Sequence, residues 1–323
     1  MSKVLVISGH PNLDQSNANS AILLSLTKRI DDIEVRRLDT LYSNNPIDVE
    51  AEQKALLEAE VIVLQFPFHW YSVPALLKRW IDQVFTYNFA FGPEGDKLAN
   101  KHFLLSISVG GPKESYRPLG YNHFSVEEFL RPLEQLAYLA KMQYHKPIYS
   151  HRMVYIEGVY NTLSDVQARG DQHGKRVADA IDVLMNSPEL LIKQFVTTWF
   201  GQFDQLPASS EAFLPNLSEE VVWQAPEGRF QGHAGFNDWY AWARKTFKPN
   251  CEHRVDQIDI KPDADSAKPN GFIVDLRINL RADTFESSDF KGESVEVQVK
   301  ERWHVHIDTE GKVTIDSYVV SPL

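Results

Sequence analysis

The sequence predicts an α/β chain in two units: a doubly wound, five-stranded parallel sheet over residues 1–187, then an α+β unit over residues 188–323. Three observations carry this. Through the first half, short apolar runs alternate with stretches of helical periodicity, the pattern of a parallel sheet covered on both faces. No Asn-Gly or similar hairpin signal interrupts the alternation. At Asn186-Ser187-Pro188 the order changes to helices followed by long strands, which is the α+β pattern and leaves almost no linker.

The elements follow in order. KVLVIS (3–8) reads as a strand, NSAILLSLTKRI (19–30) as a helix and IEVRRL (33–38) as a second strand. A helix over about 49–59 leads to the strand VIVLQF (61–66), and Val73, Leu76, Leu77, Trp80, Ile81 and Val84 recur at helical spacing. KHFLLSISV (101–109) is a fourth strand, SVEEFLRPLEQLAYLA (125–140) a helix and RMVYIEG (152–158) a fifth strand, before a last helix over about 163–185. In the second unit Ser187 caps a helix that begins at Pro188. A second helix covers GHAGFNDWYAWARKTF (232–247), and four strands end the chain: CEHRVDQIDI, GFIVDLRINLRA, ESVEVQVKERWHVHI and KVTIDSYVV.

In an open parallel sheet, ligands sit beyond the carboxyl ends of the strands, where the strand order switches. After strand one comes SGHPNLDQSNANSAILL, which lacks both the dinucleotide fingerprint and the nucleotide-triphosphate loop. Ser16, Asn17 and Asn19 instead precede a helix, where free N–H groups suit a phosphate. The loop after strand three, FPFHWY, is unusually aromatic for a turn and offers flat partners to a planar heteroaromatic ring. After strand four comes SVGGPKESYRPLGYNHF, where Gly110-Gly111 admits close backbone approach and Tyr116, Tyr121 and His123 add polar tips.

HPN-x3-SNAN, QFPFHWYSVPALLKRWIDQVF, FAFG and SVGGPKESY…GYNHF together resemble the flavodoxin-like NAD(P)H:quinone oxidoreductases. The bacterial short forms are most similar, including the ancillary quinone reductase of glutathione-gated potassium efflux systems. The resemblance spans about residues 1–185. It implies a flavodoxin-like fold, a homodimer with the flavin near the interface, and hydride transfer from NAD(P)H through the flavin to a quinone or similar small electrophile. By motif, His10, Ser16, Asn17 and Asn19 would hold the flavin phosphate. Phe68, His69, Trp70 and Tyr71 would cradle the ring, and Gly110, Gly111, Pro112 and Lys113 would close its far edge. FMN is the implied cofactor, with FAD the alternative carried by longer members. In those members a Tyr and a His six residues later act as donors. Here Tyr116 and His123 are seven apart and Tyr121 and His123 two, so the choice of tyrosine stays open. Phe91 stands where relatives carry Tyr. A competing reading is a flavin-binding regulatory module with little turnover, docked peripherally on a transporter.

Residues 188–323 resemble the SnoaL-like branch of the nuclear-transport-factor-2-like cone fold. Five of seven tryptophans lie there (Trp199, Trp223, Trp239, Trp242, Trp303), as core or as walls of a pocket for a flat apolar molecule, with Trp223, Trp239 and Trp303 the expected walls. Asp204, Asp238 and His233 are candidate acid–base groups, with nothing to select among them. His304 and His306 share one face of a strand, opposite Trp303, Val305 and Ile307; with no carboxylate partner evident, no metal site is expected.

The net charge of −11, of which −8 falls in residues 188–323, argues against nucleic acid or an acidic membrane as partner. Cys251 is the sole cysteine, which excludes an intrachain disulfide and suits a reducing compartment. No signal segment and no apolar run of membrane-spanning length is evident, so a cytoplasmic protein without membrane insertion is expected.

Overall fold

The computed structural model describes residues 4–323, and the chain divides into two compact units after Met185. The first unit runs β1 (Val4–Ser8), α1 (Asn17–Thr27), β2 (Ile33–Arg37), α2 (Leu38–Tyr42), α3 (Val49–Glu58), β3 (Val61–Pro67), α4 (Ala75–Val84), β4 (His102–Ser108), α5 (Val126–Phe129), α6 (Arg131–Leu139), β5 (Gln143–Tyr144), β6 (Ile148–Ser150) and α7 (Leu163–Met185). Its strands pair in parallel in the order β2-β1-β3-β4-β5, with β6 also on β4. Every residue of β1, β3 and β4 is buried, because alternate side chains feed two different cores. Leu5, Ile7, Ile62, Leu64 and Leu105 join the core that includes Leu56, Leu77 and Trp80. Val4, Val6, Val61, Val63 and Leu104 join the one with Ile22 and Val177. Two-sided burial is why these strands read as unbroken apolar runs.

α1 and α7 approach closely through small residues. A Cβ on Gly174 would lie 2.4 Å from the Cβ of Ser25, so α7 can seat there only with glycine. On the same helix His173 is buried between Ser106 Oγ and Ser150 Oγ, 2.9 Å from each, and pins α7 to β4 and β6. Burial, helped by the Arg176 charge, pulls its pKa down to about 3, so it is held neutral.

Two expected elements differ. The fifth strand is not 152–158 but two short pieces upstream, Gln143–Tyr144 and Ile148–Ser150. Pro147, which has no N–H to donate, separates them, and Arg152 at φ +58° turns the chain out of the sheet. Val154 and Ile156 are consequently exposed. The helix expected over 125–140 breaks at Leu130, because Pro132 stands in the first turn of α6.

The second unit runs α8 (Pro188–Gln205), β7 (Leu217–Ala225), β8 (Gly228–Gln231), α9 (Gly232–Thr246), β9 (Glu252–Pro262), β10 (Gly271–Asp283), β11 (Ser294–Ile307) and β12 (Val313–Pro322). Its sheet has the order β8-β7-β12-β11-β10-β9, with β7 parallel to β12 and the other pairs antiparallel. The expectation of four strands missed β7 and β8. Register shifts in β10, β11 and β12 bend the sheet. Trp199, Phe203, Trp223, Phe236 and Trp303 fill the core. Among the described residues, no helix is long and apolar enough to cross a membrane.

Candidate functional site

In the order 2-1-3-4-5 the chain leaves β1 in opposite directions, and the crevice opens above the carboxyl ends of β1 and β3. Three loops border it. Beyond β1, Ser16 caps α1 by accepting the N–H of Asn19 at 3.1 Å, while the first turn leaves the N–H groups of Asn17 and Ala18 without helical acceptors. That end of α1 is suited to an anion. The Asn19 side chain faces inward, 3% exposed. Its Oδ1 accepts from Gln65 Nε2 (2.6 Å) and Ser108 Oγ (2.9 Å), so Asn19 ties the start of α1 to the ends of β3 and β4. Beside it, the buried oxygens Ser8 Oγ and Gln65 Oε1 have no protein partner among the described residues. His10 accepts the Asn12 N–H at 3.0 Å; burial and the neighbouring His69 hold it below the usual imidazole range.

The aromatic turn after β3 is a tight hairpin. His69 and Ser72 exchange N–H···O bonds of 3.0 and 2.9 Å around Trp70 (φ +47°) and Tyr71 (φ +64°). Positive φ at both central residues is the type I′ geometry, which Asn-Gly adopts cheaply and bulky residues do not. Trp70 is nevertheless 92% exposed. A strained turn displaying a bare indole is the signature of a functional surface rather than of packing.

Behind the turn stands a wall of rings. Tyr71 stacks on Phe129 at 5.0 Å and 25°, and Phe68 lies 6.2 Å from Tyr116 and 5.8 Å from Phe129. Phe129 is fixed by local sequence: Ser125 and Glu128 form a reciprocal capping box that starts α5. Tyr71 also donates to Asn122 Oδ1 at 3.1 Å. Gly110 and Gly111 pass close beneath: a Cβ would sit 2.9 Å from Val154 at the first and 3.3 Å from the Tyr116 ring at the second. Pro112 and the exposed Lys113 lead into a 3-10 turn at the rim.

Of the expected donors, Tyr116 lies in the ring wall, whereas Tyr121 and His123 lie outside it. Tyr121 is 86% exposed, and His123, at φ +63°, is exposed as well; neither joins this ring cluster. Tyr116 does, and its imidazole neighbour is His151, with ring centroids 5.3 Å apart. His151 comes from the segment after β6, and its Nδ1 lies 3.1 Å from the Gly111 carbonyl. Burial holds His151 below and Tyr116 above their ordinary pKa values, so both stay neutral near pH 7. Sequence reasoning missed His151 because the strand it assigned to 152–158 hid the turn that presents it. The signal that could have found it is Pro147, which has no N–H to donate and so cannot continue a strand there. Phe91 faces Tyr87 at 5.8 Å, and both are exposed.

The second unit holds an apolar cavity of about 270 Å³ lined by Trp223, Trp239, Trp242, Leu280, Val297 and Val299. Trp303, an expected wall, is instead fully buried core. Of the candidate acid–base groups, His233 is tied to the Leu217 carbonyl at 3.0 Å and Asp238 is exposed on α9, leaving Asp204. Asp204 pairs with His253 Nδ1 at 2.6 Å. His304 and His306 do have carboxylate partners, Asp263 (2.8 Å) and Asp316 (2.7 Å), and among the described residues no cluster suited to a metal forms. Cys251 is half-buried, and burial pushes its thiol up to about 11, so it is not a nucleophile at neutral pH.

Residues 2–179 match the family model described as a flavodoxin-like fold. The chain is 36% identical over 194 residues to the uncharacterized NAD(P)H oxidoreductase YdeQ of Bacillus subtilis, across 60% of this chain and 93% of that protein. It is 35% identical over 181 residues to KefG of Cronobacter sakazakii, an ancillary protein of the glutathione-regulated potassium-efflux system, across 55% of this chain and 94% of that one. Among solved structures, general stress protein 14 of Treponema denticola in complex with FMN superposes with a TM-score of 0.51 at 32% identity, over 56% of this chain and 99% of that one.

Proposed function

Because the chain belongs to the flavodoxin-like family through residues 2–179, with NAD(P)H oxidoreductases among its relatives, we propose that its first unit is an FMN-dependent NAD(P)H:quinone reductase. The observation that carries this is the ring wall of Phe68, Tyr71, Tyr116 and Phe129 beside the open N-terminus of α1. One end suits a phosphate and the other a flat heteroaromatic ring, at the switch point where this strand order places ligands. FMN, when bound, supplies the hydride relay between NAD(P)H and the acceptor. The chain's own residues do the rest. Ser16, Asn17 and the first turn of α1 hold the phosphate, with His10 beside them, while Asn19 keeps the three loops in register. Trp70 and Tyr71 cover the ring, and the neutral Tyr116 and His151 hold protons at Oη and a ring nitrogen, within reach of an acceptor oxygen that gains charge.

The exposed Trp70, Tyr87, Leu119, Tyr121 and Phe124 support a homodimer built over this end of the sheet. The same exposed side chains, with the KefG likeness, support the second reading, a docked flavin module with little turnover. For residues 186–323 we propose a SnoaL-like cone fold whose cavity takes a flat apolar molecule, substrate or product of the flavin step.

The test is direct. The purified protein is expected to be yellow, to release FMN by mass, and to bleach with NAD(P)H and recover with benzoquinone. Colourless protein that takes up neither FMN nor FAD overturns the reading. Bound flavin without benzoquinone turnover favours the docked module.

A further inference from the structure

Next to His151 lies a second pair of polar side chains that the flavin reading leaves without a role. Tyr149, on β6, donates from its hydroxyl to Glu127 Oε1 on α5. Its ring stands edge-on to His151, with centroids 5.5 Å apart at 89°. Both Tyr149 and Glu127 are half-buried. Burial, together with the Glu127 carboxylate, pushes the Tyr149 hydroxyl up to about 12, so it keeps its proton. Tyr116, His151, Tyr149 and Glu127 are thus linked one to the next, from the ring wall to a carboxylate.

The tautomer of His151 is set by its neighbour. A carbonyl oxygen only accepts, so the 3.1 Å contact to Gly111 places the proton of the neutral ring on Nδ1 and leaves Nε2 bare. A bare Nε2 can take a proton but has none to give. His151 therefore delivers a proton only from its cationic form. Burial opposes that cation, as does Lys113, while the Gly111 carbonyl and the carboxylates of Glu114 and Glu127 favour it. Lys113 and Glu114 stand on the exposed rim, and Glu114, 68% exposed, also faces Arg152 at 3.7 Å. Salt screens such charges. Glu127 is different: it is half-buried, and the Tyr149 hydroxyl fixes its carboxylate.

We propose that Glu127, through Tyr149, is a positioning residue that steadies the His151 imidazolium, which hands a proton to Tyr116 as Tyr116 gives its own to the acceptor oxygen. The Tyr116 O–H bond breaks as the acceptor O–H bond forms. The His151 Nε2–H bond then breaks as the Tyr116 O–H bond is remade. His151 returns to its neutral form with the proton still on Nδ1, and solvent supplies the next one. No electron moves in this relay: the acceptor's two electrons and its other proton come as the hydride of the flavin step. The role of Glu127 rests on the reading of Tyr116 and His151 as donors beside the flavin. It makes reduction of the acceptor, and not reduction of the flavin, depend on the charge at Glu127.

The first readout needs no turnover. In the full chain with 13C-labelled histidine, the ring-carbon NMR signal that disappears in His151→Asn reports the His151 titration. In 0.5 M NaCl, which screens Lys113 and Glu114, Glu127→Gln is expected to lower that midpoint by about half a unit. Tyr149→Phe is expected to lower it as well, because Glu127 then loses its tether. The second readout follows flavin absorbance in the FMN-loaded protein by stopped flow. Reoxidation of the reduced protein by duroquinone is expected to slow as pH rises through the His151 midpoint. Above that midpoint Glu127→Gln is expected to be about threefold slower than wild type, half a unit at tenfold per unit. Reduction by NAD(P)H is expected to be unchanged, since no acceptor is protonated there. A His151 midpoint unmoved in Glu127→Gln, or flavin reduction slowed as much as reoxidation, overturns the proposal. Flavin that is bound and reoxidised at one rate at every pH overturns it too, and leaves the quinone-reductase reading standing. Protein that takes up no flavin overturns that reading and the proposal with it.

Discussion

Trp70→Asn separates stability from function at the aromatic turn. Trp70 holds φ +47° with 92% of its surface exposed, so its side chain contributes almost no packing to the FMN-free protein. A bulky residue in the left-handed region costs roughly 1–2 kcal/mol, and Asn at this position of a type I′ turn carries much less of that cost. Removing the indole should therefore stabilise the FMN-free first unit by about 1 kcal/mol, raising its calorimetric melting temperature by about 2–4 °C for a unit of this size. The opposite effect is expected on the cofactor. Loss of one stacking face, about 0.5–1.5 kcal/mol, weakens FMN binding severalfold, up to about tenfold, by titration of flavin fluorescence. Calorimetry of the apoprotein is the decisive measurement, because FMN binding would mask the gain. An apoprotein destabilised by 1 kcal/mol or more would mean that Trp70 packs in solution and that the turn is structural.

Two further outcomes follow from the geometry. Tyr116→Phe and His151→Asn should each lower kcat for quinone reduction at least tenfold with little change in FMN affinity, whereas Tyr121→Phe and His123→Asn should stay within twofold; the reverse ranking would return the donor role to the GYNHF loop. His173 is held neutral, with a folded pKa of about 3 against 6.5 unfolded, so its stabilisation is present above pH 6.5 and is lost as pH falls toward 3. Acidification from pH 7.5 to 5 should cost the first unit about 2 kcal/mol through this group, at 1.36 kcal/mol per pKa unit. His173→Gln should flatten the stability profile by that amount, and parallel profiles for the two proteins would refute the assignment.

Much of this molecule is determined by local sequence. Apolar runs in β1, β3 and β4, and helical spacing through α4 and α7, are set by neighbours within a few residues, so the alternating α/β unit and the three loops at the strand ends are legible in one dimension. The same holds for the caps at Ser16, Ser125 and Ser187, where one side chain meets an N–H three residues on. Tertiary structure decided what depends on residues far apart in the chain. Asn19 was expected to hold a phosphate; that its side chain also ties α1 to the sheet depends on Gln65 and Ser108, which arrive from β3 and β4. Tyr116 acquired His151 rather than His123 because Pro147 broke the fifth strand and Arg152 turned the following segment away. Asp204 acquired His253 as its partner because β9 runs past the end of α8. Periodicity records which way a side chain faces. It carries no record of which distant side chain will face it, and at a site built from several loops and strands, that pairing is the chemistry.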